Sequence, residues 1–73
     1  MTDSMKIGIS MALCSPNEDE RIQAYRLYFN LFDKNDLSEN NWSFYRDIAK
    51  SIRTETPRVT NALIDLKILI ERK

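Results

Sequence analysis

Residues 45–64 hold the pattern that most restricts the fold: two short amphipathic stretches joined by a turn, with a small residue where the two must touch. Ile48, Ala49 and Ile52 fall on one face of the first stretch. Val59, Ala62, Leu63 and Leu66 fall on one face of the second, at the three-and-four spacing of an amphipathic helix. Helices that cross steeply approach closely, and Ala49 is small enough to sit at the crossing. Between them, Thr54, Glu55 and Thr56 lead into Pro57. Thr56 reads as a helix cap, and proline at the first helical position forfeits no hydrogen bond. The first helix is predicted over 44–52 behind a Ser43 cap. Together these features predict a helix-turn-helix.

At 73 residues the chain holds one small domain, 1–73. A domain of that size buries only ~60% of its unfolded surface, which favours a partner or self-association. No apolar run approaches the ~20 residues of a membrane span, and no basic region precedes an apolar stretch near Asp3, so neither membrane nor export signal is expected. The expected compartment is the cytoplasm. Cys14 is the single cysteine and reads as a small core residue; histidine is absent. No metal site, cofactor or catalytic residue is therefore expected, and the chain is not read as an enzyme. Net charge is zero but unevenly spread: residues 1–43 carry four basic and seven acidic residues, and residues 44–73 carry seven and four. Phosphate binding follows local potential, so the basic half suits a DNA-facing end.

Upstream, Met5, Ile7, Ile9, Met11 and Leu13 alternate with small or polar residues. That period of two predicts a short strand over 5–14, or an arm over 1–14. Ser15-Pro16-Asn17-Glu18 has the form of a capping box, predicting a helix from Pro16 to Phe32. Ile22, Tyr25, Phe29 and Phe32 share one face of it, Ala24, Leu27, Tyr28 and Leu31 another, so the helix should pack on the core and on something else. Asp33-Lys34-Asn35-Asp36 resembles the start of a calcium loop, but Ser38 replaces the required glycine and Phe44 the closing glutamate. A solvated loop is expected there. The fold class is mainly α, about three helices with the N-terminal strand or arm.

In a helix-turn-helix the second helix enters the major groove. Arg58, Thr60, Asn61 and Ile64 are its outward residues, with Thr56 and Pro57 at its tip. Arg58 suits guanine, Asn61 suits adenine, and the methyl groups of Thr60 or Ile64 suit thymine. Tyr45, Arg46, Arg53 and Thr54 stand where the first helix and turn meet phosphates, and Lys67 lies further along.

The segment resembles the helix-turn-helix of phage Cro-type repressors and the winged-helix regulators of the MarR and GntR families. Ala49, flanked by Ile48 and Ile52, matches the first helix of that pattern; Val59, Ala62 and Leu63 match the second. The tail from Ala62 to Arg72 is similar to the winged-helix ending, and the resemblance covers about 30 of the 73 residues. Arg53 stands where the family usually has a glycine, which predicts a reshaped, strained or longer turn. Length excludes a full wing. Either the second helix continues to the C-terminus, or one strand there pairs with residues 5–14.

Two functions follow as expectations. One is a sequence-specific regulator that binds double-stranded DNA as a homodimer, with recognition helices ~34 Å apart. The other is a protein-binding module on the same fold, an antirepressor or assembly factor. If the helix continues, Ile64 and Ile68 face water, and they join Tyr25 and Tyr28 as the expected partner or dimer interface.

Overall fold

The Thr2 hydroxyl accepts the Met5 amide at 3.2 Å and opens helix α1, Asp3–Leu13. The computed structural model describes residues 2–71. Met1, Arg72 and Lys73 lie outside the described residues, and with them two basic charges counted above. The strand or arm expected before Cys14 is corrected to this helix. An every-second-residue pattern wraps right round a helix, so Ile9 is buried while Ile7 and Met11 reach solvent. Cys14, expected inside, is exposed at the end of α1.

Helix α2 spans Glu18–Leu31. Its cap is Asn17, whose side chain accepts the Asp19 amide at 2.9 Å and the Glu20 amide at 3.4 Å, so the start moves two residues past Pro16. Ser15 instead accepts the Asn17 amide and donates to Glu20. Helix α3 spans Glu39–Arg53, starting five residues earlier than expected because Ser38, not Ser43, is the cap. Asn41 fixes that start by donating to the Asp33 and Asp36 carbonyls at 2.9 and 2.8 Å.

Thr56 and Pro57 open helix α4, Pro57–Ala62, as expected from the sequence. The turn before it needs no left-handed residue, since none of the described residues has positive φ. It closes through the Thr54 amide on the Ser51 carbonyl at 3.2 Å and the Glu55 amide on the Ile52 carbonyl at 3.3 Å. Arg53 is therefore accommodated without strain. The helix does continue towards the C-terminus, but with a break at Leu63 before α5, Ile64–Glu71. There Arg26 of α2 donates to the Ala62 carbonyl at 2.7 Å, and a side chain inserted at that point opens the helical ladder. Ala62, expected inward, is exposed; the break turns it out.

The result is an all-helical arrangement of five elements among the described residues. One core joins them: Ile9 from α1, Tyr25 and Tyr28 from α2, Ile48, Ala49 and Ile52 from α3, Val59 from α4, then Leu63 and Ile70. Ala49 sits in that core, where the helix-turn-helix pattern requires a small residue. The molecule is flattened, 32 × 28 × 17 Å, so the thin axis is under two helix diameters and much apolar surface stays uncovered.

Tyr28 is buried among Phe29, Phe32 and Phe44, with the first and last edge-on to it at 5.2 Å. Its hydroxyl has no hydrogen-bond partner among the described residues. A buried polar group left unpaired costs about 1–3 kcal/mol. Tyr28→Phe is therefore expected to raise stability by about 1 kcal/mol, read as a Tm increase of roughly 5 °C.

Candidate functional site

The tip of α4 is surrounded by carboxylates. Arg58 donates to Glu18 at 3.2 Å and to Asp19 at 2.8 Å, and the Thr56 hydroxyl donates to Glu18. These contacts hold the Glu18 carboxyl below its usual range, first through Thr56 and then Arg58, and hold the Arg58 guanidinium up, first through Glu18. Arg58 thus points at the acidic first turn of α2. Thr54 and Thr60 hydroxyls turn back onto the Ser51 and Pro57 carbonyls. Pro57 and Asn61 are exposed on α4, Lys67 is half-buried on α5, and Tyr45 is in the core. Asp65 adds another carboxylate just past α4, held below its usual range by Arg26.

Positive charge gathers instead on α3. Arg46, Lys50 and Arg53 are exposed at intervals of four and three residues, which puts them on one face. Arg46 also reaches Glu39 at 2.6 Å across exposed surface. These residues line an opening with Tyr45, Ala49 and Ile70.

A polar network fastens α2 to the inter-helix turn. Arg21 grips Glu55 through two nitrogens at 3.0 and 3.2 Å and donates to the Ser15 carbonyl at 2.8 Å. The Tyr25 hydroxyl donates to Glu55 at 3.0 Å and lies 2.6 Å from the Ser51 hydroxyl. Glu55, a residue of the expected groove-facing turn, is therefore a structural tie. Burial is the main cause that pushes the Tyr25 hydroxyl up to about 12, and it raises Tyr28 and Tyr45 as well. A raised pKa favours the protonated native state, so this contribution is complete below the unfolded value of about 10 and is lost as pH climbs towards 12. Urea unfolding followed from neutral pH upward should show constant stability to about pH 10, then a steep fall coincident with tyrosine ionisation.

Tyr25 and Tyr28 are not available to a partner; both are almost fully buried in the chain's own core, a correction to the expected interface. Ile64 and Ile68 are exposed, at 52% and 53% of their surface, and Leu69 at 55%. Beside Leu69 lies an aromatic cleft of about 430 Å³, within the ~300–1,000 Å³ range of ligand pockets. Phe29 of α2 and Phe32 just past its end, Trp42 and Tyr45 of α3, and Leu66 and Leu69 of α5 line it. Phe32 stacks obliquely on Tyr45 at 4.6 Å and meets Trp42 edge-on at 5.1 Å, so the walls brace one another. Asn30 and Lys34 are the polar residues of the lining.

Comparison with protein-family models, curated proteins and solved structures found no match to the chain. No helix among the described residues is long and apolar enough to cross a membrane. The cleft was only half visible in the sequence: Phe29 and Phe32 share a helical face, but Trp42 joins them only because α3 begins at Glu39.

Proposed function

We propose that the chain is a protein-binding module, an antirepressor or assembly factor built on a helix-turn-helix. Its cleft between α2, α3 and α5 receives an apolar anchor side chain from an amphipathic segment of the partner, and Lys34 pairs with an acidic residue beside that anchor. The observation that carries this is the braced aromatic cleft flanked by exposed Leu69. Partner interfaces concentrate their energy in such aromatic, water-excluding pockets. A helix laid in a groove reads its partner through anchors at three-and-four spacing. The carboxylates at the tip of α4 favour the same conclusion, because they would repel phosphates. A cytoplasmic setting belongs to the proposal, in keeping with a lone exposed thiol.

Selection of a random-sequence peptide display library on the protein, with Leu69→Glu as counter-selection, tests this. The expected outcome is enriched peptides with a large apolar residue next to an acidic one. Loss of every enriched peptide in the counter-selection step would overturn the cleft as the binding site.

One observation favours duplex DNA as a second reading: the face of Arg46, Lys50 and Arg53 on α3. In that case the contacts come from α3 to phosphates, and affinity falls steeply with salt.

A further inference from the structure

Arg21, Arg26, Arg46 and Arg58 each hold a carboxylate in an ion pair. Arg53 is the one arginine among the described residues that holds none, and Lys50, three residues before it, holds none either. The end of α3 does not need them as caps. Its Ser51 and Ile52 carbonyls are taken by the Thr54 and Glu55 amides and by the Thr54 hydroxyl. Both cations stand exposed at the rim of the opening of about 410 Å³ between α3 and α5. Its floor is apolar and buried, made by Tyr45, Ala49 and Ile70. Ala49 lies between Tyr45 and Arg53 at four-residue steps on one side of α3, and its short side chain leaves the space. Burial raises the Tyr45 hydroxyl and the Arg53 charge opposes it, so the guanidinium is near that hydroxyl.

We propose that this opening binds a small phosphate monoester, with the phosphoryl group between Lys50 and Arg53 and the organic group on Ala49 and Ile70. Residues three apart on a helix are neighbours, so one tetrahedral group reaches both cations. The guanidinium fork of Arg53 suits two of its oxygens.

Charge sets the class of anion. A phosphate monoester carries about −1.5 to −2 at neutral pH, which two unpaired cations match. A carboxylate or a single phosphodiester carries one charge. No carboxylate lines the opening. Glu39 is held by Arg46, and Asp47 of α3 and Glu71 of α5 bond to neither Lys50 nor Arg53. The Glu39–Arg46 pair is exposed on both sides and such pairs are weak, so Arg46 is free to turn to the ligand as a third contact. The floor is what calls for an organic group: a bare phosphate would leave it wet, and the volume lies within the ~300–1,000 Å³ of ligand pockets. The opening shares only Tyr45 with the aromatic cleft, so the site goes beyond the function proposed above.

NMR titration of the isotope-labelled protein with phenyl phosphate, benzoate and random duplex DNA, at about 50 mM salt, tests this. Phenyl phosphate is expected to shift the amides of residues 45–53 and of Ile70 saturably, with Kd roughly 0.1–1 mM. Benzoate has the same ring with a single charge and should bind at least ~10-fold more weakly. Arg53→Gln and Lys50→Gln should each weaken phenyl phosphate at least ~5-fold while the melting curve stays that of wild type, because both side chains are exposed. No saturable shift by about 10 mM phenyl phosphate, equal affinity for benzoate, or wild-type affinity in Arg53→Gln would each overturn the proposal. Duplex DNA shifting these amides where phenyl phosphate does not would overturn it too and give the face to a polymer. All of these results are read without a peptide, so this site and the cleft fail separately.

Discussion

Leu69→Glu is expected to weaken binding of cleft-selected peptides at least ~100-fold, equivalent to about 2.8 kcal/mol, while the Tm stays within about 3 °C of wild type. The side chain is 55% exposed, so the folded chain loses little packing when it changes. In the complex the same position would be covered. A glutamate there puts a charge that the complex must desolvate beside Phe32, Trp42 and Leu66, and it competes with the peptide's acidic residue for Lys34. Titration calorimetry of both proteins with one selected peptide, together with their melting curves, separates lost binding from lost folding. Equal affinities would remove Leu69 from the interface.

Leu63→Ala is expected to cost about 3 kcal/mol of stability, a Tm decrease of roughly 15 °C. Leu63 is fully buried at the break between α4 and α5. Its amide bonds to the Val59 carbonyl at 3.1 Å and its carbonyl accepts the Lys67 amide at 2.9 Å, so the break is held at both ends. Removing the side chain leaves a cavity where α3, α4 and α5 converge, and a domain of this size has only about 5 kcal/mol to lose. Chemical denaturation gives the value directly. A loss under about 1 kcal/mol would mean the core closes around the site.

The succession of α3, turn and α4 was legible because several local rules agree there. Thr56-Pro57 fixes a start, and Ala49, Ile52 and Val59 all fall inside at the required spacing. The N-terminus was not legible, because alternation and a helix wrapped in apolar residues give the same pattern over so short a run. What decides between them is the neighbour: α1 packs on α2 through Ile9 and Leu13, and no strand lies beside it among the described residues.

The candidate site was legible only in Phe29 and Phe32, which share one helical face. The exposure of Ile64 and Ile68, outside the cleft, also follows from the period of one helix. Contacts across long separations do not: Arg58 to Glu18, Arg21 to Glu55 and Arg26 to Ala62 all join α2 to the segment after α3. The first of them ties Arg58, which reads as a base contact, to the start of α2 instead. Tyr25 and Tyr28 illustrate the converse, since a helix with two apolar faces gives no sign of which one the chain itself covers.

Trp42 is the chain's one tryptophan and it lines the cleft, so its fluorescence reports occupancy directly. The decisive measurement is a titration of the protein with a display-selected peptide and with random duplex DNA, each at about 50 and about 500 mM salt. A saturable shift of Trp42 emission by the peptide, with affinity changing less than about threefold between the two salts, is the result a protein-binding cleft predicts. A silent Trp42 with every peptide, alongside duplex binding that collapses by about a thousandfold as salt rises, would contradict it and give the function to the basic face of α3.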